Sequence, residues 1–470
     1  MKQSNQQIFL RALGVSFFLV LLWSSLALSA QQTDHYVTMT TSKKVGEMIE
    51  IGLLAKEVDK ISIDGVQEQP SRSGSSTPIK YTLSQQTVTI RGDLSLLFVS
   101  DAMLTQLDVT NMPSLETLNC ARNNLTSLDL SRSVALKELH CLHNNITEIK
   151  GLASARQLNT LLCQENAISA LDLSQMAALI HLDCSKNSLS SLDLSNATAL
   201  KNLTCVENNI TSLDLSQTKQ LAFLDCSANK LTTLNLSNLS HLDDVNCAGN
   251  QIRGKAMTQL MNSLPAPENG GWLTLVSSSK DDEDNIATKE DVATAITRKW
   301  KVLDDKQDPY EGVDSYAVKL VIGDGGTAKI QEDVEPSKVS EGLKLTVVAT
   351  AQTGYELDKI MAGSEDITTS KQFVVKGATE VKVTFKKSTA VTDVASAQRQ
   401  IYPNPTAQEL HIAGVAPHLL LTLYNIEGEA VAVAMADTQG VAEMDLSHLP
   451  AGLYLLQISG ELHRIVVQRH

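Results

Sequence analysis

Apolar and polar positions recur with a fixed period through the middle of the chain. Leu118-Asn119-Cys120 is followed by Leu139-His140-Cys141, Leu161-Leu162-Cys163, Leu182-Asp183-Cys184, Leu203-Thr204-Cys205, Leu224-Asp225-Cys226 and Val245-Asn246-Cys247. The cysteines lie 21, 22, 21, 21, 21 and 21 residues apart. Three residues after each comes an asparagine (Asn123, Asn144, Asn166, Asn187, Asn208, Asn229 and Asn250), and two residues later a Leu or Ile. Most units then run into Leu-Asp-Leu-Ser, as at Leu171-Asp172-Leu173-Ser174. Within a unit, Leu203 and Cys205 alternate with Asn202, Thr204 and Val206, the two-residue period of a strand with one buried face. A single coil cannot bury these side chains alone. Seven such units therefore predict a solenoid whose strands pair in parallel, about 4.8 Å apart. The asparagine falls where the chain turns inward, and its amide suits backbone groups of adjacent turns that would otherwise lack partners. The Leu-Asp-Leu run is expected to form the opposite wall.

Departures from the period are informative. Val99 takes the cysteine position and Ala102 the asparagine position of a degenerate coil ending in Leu104, Leu107 and Val109, as expected beside a cap. The 22-residue step carries Ile149-Lys150-Gly151-Leu152 in place of Leu-Asp-Leu-Ser, which predicts a bulge near Gly151. The pattern L-x-x-L-x-C-x-x-N-x-L is the leucine-rich-repeat signature with Cys in the third apolar position. With its 21-residue cysteine ladder, this third of the chain resembles the internalin J type of bacterial surface protein. The resemblance implies an adhesin, concerned with host attachment or biofilm formation and carrying virulence.

The expected fold class is multidomain: a leucine-rich-repeat solenoid with a parallel β-sheet over residues 96–253, flanked by other modules. Residues 1–30 read as a secretory signal peptide, with Lys2 and Arg11 before an apolar run over 12–28 and small residues at Leu28-Ser29-Ala30. Residues 31–95 hold short β-type runs such as Glu50-Ile51 and Thr87-Val88-Thr89-Ile90, separated by the polar stretch 70–78, and predict a β-rich N-terminal cap. Residues 254–312 predict an α/β cap, with helices over 256–264 and 289–299 around a strand at 272–276. Residues 313–387 carry alternating strand patterns and resemble small β-repeat spacer modules, and 388–398 reads as a linker. With a chain of 470 residues, three to five folded units are expected.

The last segment, 399–470, has its own signature. It opens with Tyr402-Pro403-Asn404-Pro405, continues through Asn425-Ile426-Glu427-Gly428, and closes with Pro450-Ala451-Gly452-Leu453-Tyr454 and a basic end. Its alternation predicts a compact antiparallel β-sandwich with turns at Asn425 to Gly428 and Pro450 to Gly452. As a whole it resembles a type IX secretion (T9SS type A) sorting domain, matched at Pro403, Asn404, Pro405, Gly428, Pro450, Ala451, Gly452, Leu453 and Tyr454. Arg464 and Arg469 stand where lysine is common. The resemblance implies recognition by the type IX secretion machinery, removal of the domain, and attachment of the mature protein to surface lipopolysaccharide.

Composition narrows the chemistry. A formal charge of −14 disfavours nucleic acid, which requires clustered Lys and Arg. All seven cysteines fall in the ladder: Cys120, Cys141, Cys163, Cys184, Cys205, Cys226 and Cys247. Buried thiols filling narrow positions are the favoured reading. A disulfide is disfavoured because in-register neighbours point the same way and an odd number cannot pair fully. A single file of sulfurs does not surround a metal ion, and no His accompanies any Cys as catalytic base. No H-E-x-x-H, G-x-S-x-G or phosphate-binding loop occurs, so no enzyme activity, cofactor or metal is expected. Asp172, Asp193 and Asp214 stack at equivalent positions and are read as turn caps, with cation binding as the alternative.

What remains is recognition by the concave sheet. Its outward positions include Glu138, His140, Leu142, Leu162, Gln164, His181, Asp183, Thr204, Val206, Phe223 and Asp225. Exposed Phe223 and Leu162 among carboxylates would suit a protein or glycan ligand on a host or bacterial surface. Self-association between cells, without a foreign receptor, is the alternative, and a secreted hydrolase the second.

Overall fold

The computed structural model describes residues 35–57, 60–68, 77–278, 284–388 and 400–469. The signal segment, most of the 70–78 stretch and all but Ser388 of the linker lie outside the described residues. Each Leu-x-Cys unit forms a three-residue strand, from Thr117–Asn119 to Asp244–Asn246, paired in parallel with its neighbours. The pairing is in register, with Leu182 beside Leu161 and Leu203, so every apolar side chain falls on the same face. Leu203, Cys205, Ile210 and Leu215 are buried together, and this set repeats from coil to coil as one continuous core.

That core does not stop at the solenoid's ends. It runs from Val37 to Val302, and the sheet has twelve strands. At the start, Met48–Ala55 pairs antiparallel with Leu94–Phe98, the strand of the degenerate coil. Leu104–Asp108, the second wall of that coil, joins the cap sheet by pairing with Tyr36–Thr41. At the far end, Gly271–Val276 and Trp300–Asp304 continue the parallel sheet beyond Asp244–Asn246. The helices Lys255–Ser263 and Lys289–Thr297 replace the narrow opposite wall there, and the second ends at Thr297, two residues short of the expected Lys299. Its start is held by a capping box between Thr288 and Asp291.

The chain divides into two compact units. The first runs to Gly323 and includes Thr327–Thr350 and Asp358–Thr384; the second comprises Asp324–Gly326, Ala351–Leu357 and Phe385–His470. In the first unit, Val318–Ile322 pairs in parallel with residues 379–383. In the second, Gln400–Tyr402, Glu409–Ala413 and Val441–Asp445 form one antiparallel sheet, and Ala430–Met435, Leu420–Tyr424, Gly452–Ile458 and Glu461–Val467 another. They enclose a separate core of Leu410, Leu423, Met444, Leu456 and Ile465. This is the expected sandwich.

The opposite wall of the coils is buried as anticipated, yet only Ser127–Asp129 and Glu148–Lys150 pair there as strands. The extra residue of the long step is absorbed by a 3-10 turn, Leu152–Ser154, rather than by a strand bulge. Gly151 starts it at φ +67°, where an added Cβ would lie 2.5 Å from the Cα of Ser131. Only glycine fits that approach.

Candidate functional site

The asparagine ladder determines how the sheet is held. Asn208 Nδ2 donates to the Cys184 carbonyl at 3.0 Å and the Cys205 carbonyl at 3.2 Å, while its Oδ1 accepts from Leu189 N–H at 2.9 Å. Asn144, Asn166, Asn187, Asn229 and Asn250 repeat this set. Asn123 ties the degenerate coil by reaching Val99 and Ala102. Just before each asparagine the backbone is left-handed, as at Arg122, His143, Glu165, Lys186, Glu207, Ala228 and Gly249. That turn lets the Lys186 N–H bond to Val206 of the next coil while the following asparagine points inward. An eighth ladder asparagine escapes the sequence pattern. Asn285 donates to the carbonyls of Cys247 and Leu275 and accepts from Ile252 N–H, each at 2.8 Å.

The cysteines are free thiols, all buried. Burial pushes Cys120 up to about 12 and Cys141, Cys163, Cys184, Cys205 and Cys226 upward as well. Such thiols are poor nucleophiles at neutral pH. Native protein is therefore expected to resist an aromatic disulfide reagent, with all seven thiols titrating only in denaturant. Rapid reaction of even two in the native state would overturn this reading.

On the other wall, Asp172, Asp193 and Asp214 each accept the N–H of the serine two residues on, at 3.1, 2.9 and 2.8 Å. These bonds lower their pKa values. The aspartates act as turn caps. Among the described residues no cluster of His, Cys, Asp and Glu is arranged to hold a metal ion.

The candidate binding face is the outward side of the parallel sheet. Glu138, His181 and Phe223 lie in the row before the buried Leu. His140, Leu162, Asp183, Thr204 and Asp225 lie in the row after it. Leu142, Gln164 and Val206 follow the cysteines. The structure brings all eleven to one side of the sheet. It differs from expectation in exposure: His181 alone is exposed, and the other ten, Phe223 and Leu162 included, are half-buried. Strands less than 5 Å apart make each side chain shield its neighbours. Gln164 Oε1 is buried without a hydrogen-bond partner.

Charge concentrates toward the C-terminal end of this face. Asp225 accepts from the Ser227 N–H at 3.0 Å, the Ser227 hydroxyl at 2.7 Å and Asn246 Nδ2 at 3.0 Å. Asp183 accepts the Ser185 N–H at 3.0 Å. Burial, helped by Asp243 and Asp225, raises the pKa of Asp244. Burial also lowers that of His140, against the pull of Glu138, which favours neutral imidazole.

The continuation of the sheet into the cap adds residues that the repeat pattern did not single out. In register, Asn202, Phe223, Asp244, Trp272 and Lys301 form one row. Trp272 is 48% exposed, and Lys301 Nζ stands 4.2 Å from the centre of its ring. The strand containing Trp272 was legible, but the interval before it breaks the 21-residue period and hides its place in the face.

In the C-terminal sandwich the expected sorting residues have definite places. Asn404, held between Pro403 and Pro405, donates to the Arg464 carbonyl at 2.7 Å and accepts the Val466 N–H at 2.9 Å. Gly428, at φ +86°, closes the turn in which Asn425 Oδ1 accepts the N–H groups of Glu427 and Glu429. The Tyr454 hydroxyl donates to the Pro450 carbonyl at 2.9 Å. Ala451, Gly452 and Leu453 lead into the strand Gly452–Ile458.

The family described as secretion system C-terminal sorting domain matches residues 400–469. Comparison with curated protein sequences gives no match. Among solved structures, a leucine-rich-repeat protein of Leptospira interrogans is 23% identical with a TM-score of 0.34, covering 41% of this chain and 50% of its own. The functional domain of InlJ from Listeria monocytogenes, described as including a cysteine ladder, is 17% identical with a TM-score of 0.27; 64% of this chain and 93% of that one are covered. The internalin InlF of the same species is 21% identical with a TM-score of 0.32, over 45% and 56% of the two chains. This chain thus spans about half the length of the Leptospira protein and of InlF. It combines a leucine-rich-repeat fold with a sorting tail, which implies passage across the outer membrane followed by surface attachment or release.

Proposed function

We propose that this protein is a surface-displayed binding protein, and that the outward face of its parallel sheet attaches the cell to a protein or glycan on host or neighbouring cells. The observation that carries this is the row Asn202, Phe223, Asp244, Trp272 and Lys301. It sets two aromatic rings between polar and charged side chains on a rigid, in-register sheet. Aromatic anchors of this kind contribute most of the energy of many interfaces, and their rings also stack on sugars. Asp244 supports the reading. A carboxylate held in a half-buried, like-charged setting is relieved when a donor or cation arrives. The type IX machinery and surface lipopolysaccharide are the partners of export and anchoring, and the sheet face is the partner of adhesion.

The test is the double variant Phe223→Ala/Trp272→Ala, measured for attachment of the purified secreted protein to epithelial cells and to cells of the producing bacterium. Attachment is expected to fall about tenfold or more, the size expected when an aromatic hot spot is removed. The melting temperature should change little, since neither ring is part of the core. Unchanged attachment to both surfaces would sink the proposal. Loss on bacterial cells alone would assign the face to self-association.

A further inference from the structure

The two sheets of the C-terminal sandwich present opposite chemistry outward. On the three-stranded sheet the outward side chains include Glu409, His411, Glu443 and Asp445, with His411 Nδ1 paired to Glu443 at 3.1 Å. On the four-stranded sheet they are mostly apolar. Leu420 is 58% exposed, Val433 62%, Met435 63% and Leu462 58%. Register places Leu420 opposite Met435, with Val433 at the next outward position of the edge strand, while Thr422 and Gln457 separate Val433 from Leu462. Arg464 is the charged residue this face carries, opposite Leu455.

The edge of the same sheet is also unguarded. Ala430–Met435 is a strand of six residues with no charge and no proline, and it pairs only with Leu420–Tyr424. Exposed edges in soluble proteins are ordinarily blunted by charge, proline or a covering segment, because their free backbone groups recruit other strands. An exposed apolar cluster of Leu420, Val433 and Met435 meeting such an edge marks an interaction site rather than ordinary surface. The domain it belongs to is a secretion sorting domain, which must be recognised to act.

We propose that the outer face of the four-stranded sheet, with the edge Ala430–Met435, is the surface by which the sorting domain docks on its export machinery. It rests on the sorting reading of residues 400–469. The occupant is an apolar, strand-bearing surface of an outer-membrane secretion protein. Its contact is led by Leu420, Val433, Met435 and Leu462, and backbone pairing along the edge completes it. The absence of any acid on this face, and the single Arg464, call for a partner that is largely uncharged.

The experiment uses the full chain expressed in a bacterium that possesses the secretion system. Two variants are compared: Val433→Lys/Met435→Lys, and Leu420→Thr/Val433→Thr/Met435→Gln, which keeps strand propensity if the lysines disturb folding. Each should reduce surface protein at least tenfold and leave uncleaved chain inside the outer membrane. Glu443→Lys, on the charged face, should be delivered as the parent is. Delivery of both apolar-face variants within twofold of the parent overturns the proposal. So does a parent dimer that the variants convert to monomer while delivery stays normal, because the face then belongs to self-contact. A chain truncated before residue 400 separates the two claims. Its normal delivery would overturn the sorting reading itself, whereas its failure alongside delivered variants overturns only the docking surface.

Discussion

Replacing Asn208 with alanine is expected to destabilise the solenoid by about 2–3 kcal/mol, the cost of leaving one buried N–H unpartnered and of losing two further hydrogen bonds. The Leu189 N–H loses its acceptor, while the carbonyls of Cys184 and Cys205 lose one donor each and keep those of Asn187 and Asn229. The side chain is 8% exposed, so solvent does not replace the lost bonds freely. Asn209, the next residue, is exposed and contributes its backbone N–H to Leu189, a bond that substitution leaves intact. Asn209→Ala should therefore stay within about 0.5 kcal/mol of the parent. Urea unfolding of the two variants checks the contrast. Because a coil is stabilised mainly by its neighbours, Asn208→Ala should also broaden the transition by uncoupling the coils on either side. Equal midpoints for both variants would show that the ladder is not what secures the coils.

The second large effect is expected at Arg469. Its guanidinium donates to the carbonyls of Leu446 and Ser447 at 2.8 and 2.7 Å, and also to those of Leu449 and Ala407. These close the end of the sandwich, where no strand supplies donors. A planar fork with five donors serves several acceptors at once, which an ammonium on a flexible stem does not. Arg469→Ala should cost about 2 kcal/mol, the scale of bonds made by a charged donor after allowance for its exposure. For a domain of this size that is a large share of the total stability. Arg469→Lys should recover only part of it. Thermal melts of the uncleaved full chain provide the measurement, and equal stability of the lysine variant and the parent would remove the case for a fork.

The coils were legible because their period is strict: one Leu-x-Cys, one Asn and one Leu per turn determine strand, turn and wall. Legibility failed where the same geometry is made by a different spacing. Asn285 does what Asn250 does, and Leu275 stands in the cysteine row, but a helix and a loop separate them from the last regular coil. No interval in the sequence announces that a helix can replace a narrow wall without breaking the sheet. Trp272 was hidden for the same reason, and with it a 48% exposed aromatic ring on the outward side of the sheet. Alternation correctly assigned Glu138, Thr204 and Phe223 to the outward side. It could not assign their exposure, which depends on neighbours one coil away rather than on adjacent residues. In the sandwich, Pro403-Asn404-Pro405 was recognisable as a motif, while the pairing of the Asn404 side chain with the Glu461–Val467 strand arises from a contact some sixty residues away in sequence, which no local pattern encodes. Alternation sets the outward positions of both sheets, but only strand order gathers the apolar ones on one of them.

The row of buried thiols also imposes a time limit on the making of this protein. The chain leaves the cytoplasm, and the compartments beyond favour disulfides. A thiol in an unformed coil is exposed and titrates near its ordinary value, and its nearest counterpart is only some twenty residues away, a short loop to close. A bond made then would trap two strands before their carbonyls met the asparagines. Closing a coil withdraws its thiol from the oxidant, so each completed turn removes one opportunity for error. Contacts between successive coils are local in sequence, which favours rapid propagation once a first pair has formed. Fast closure of the coils therefore protects the thiols as well as the fold.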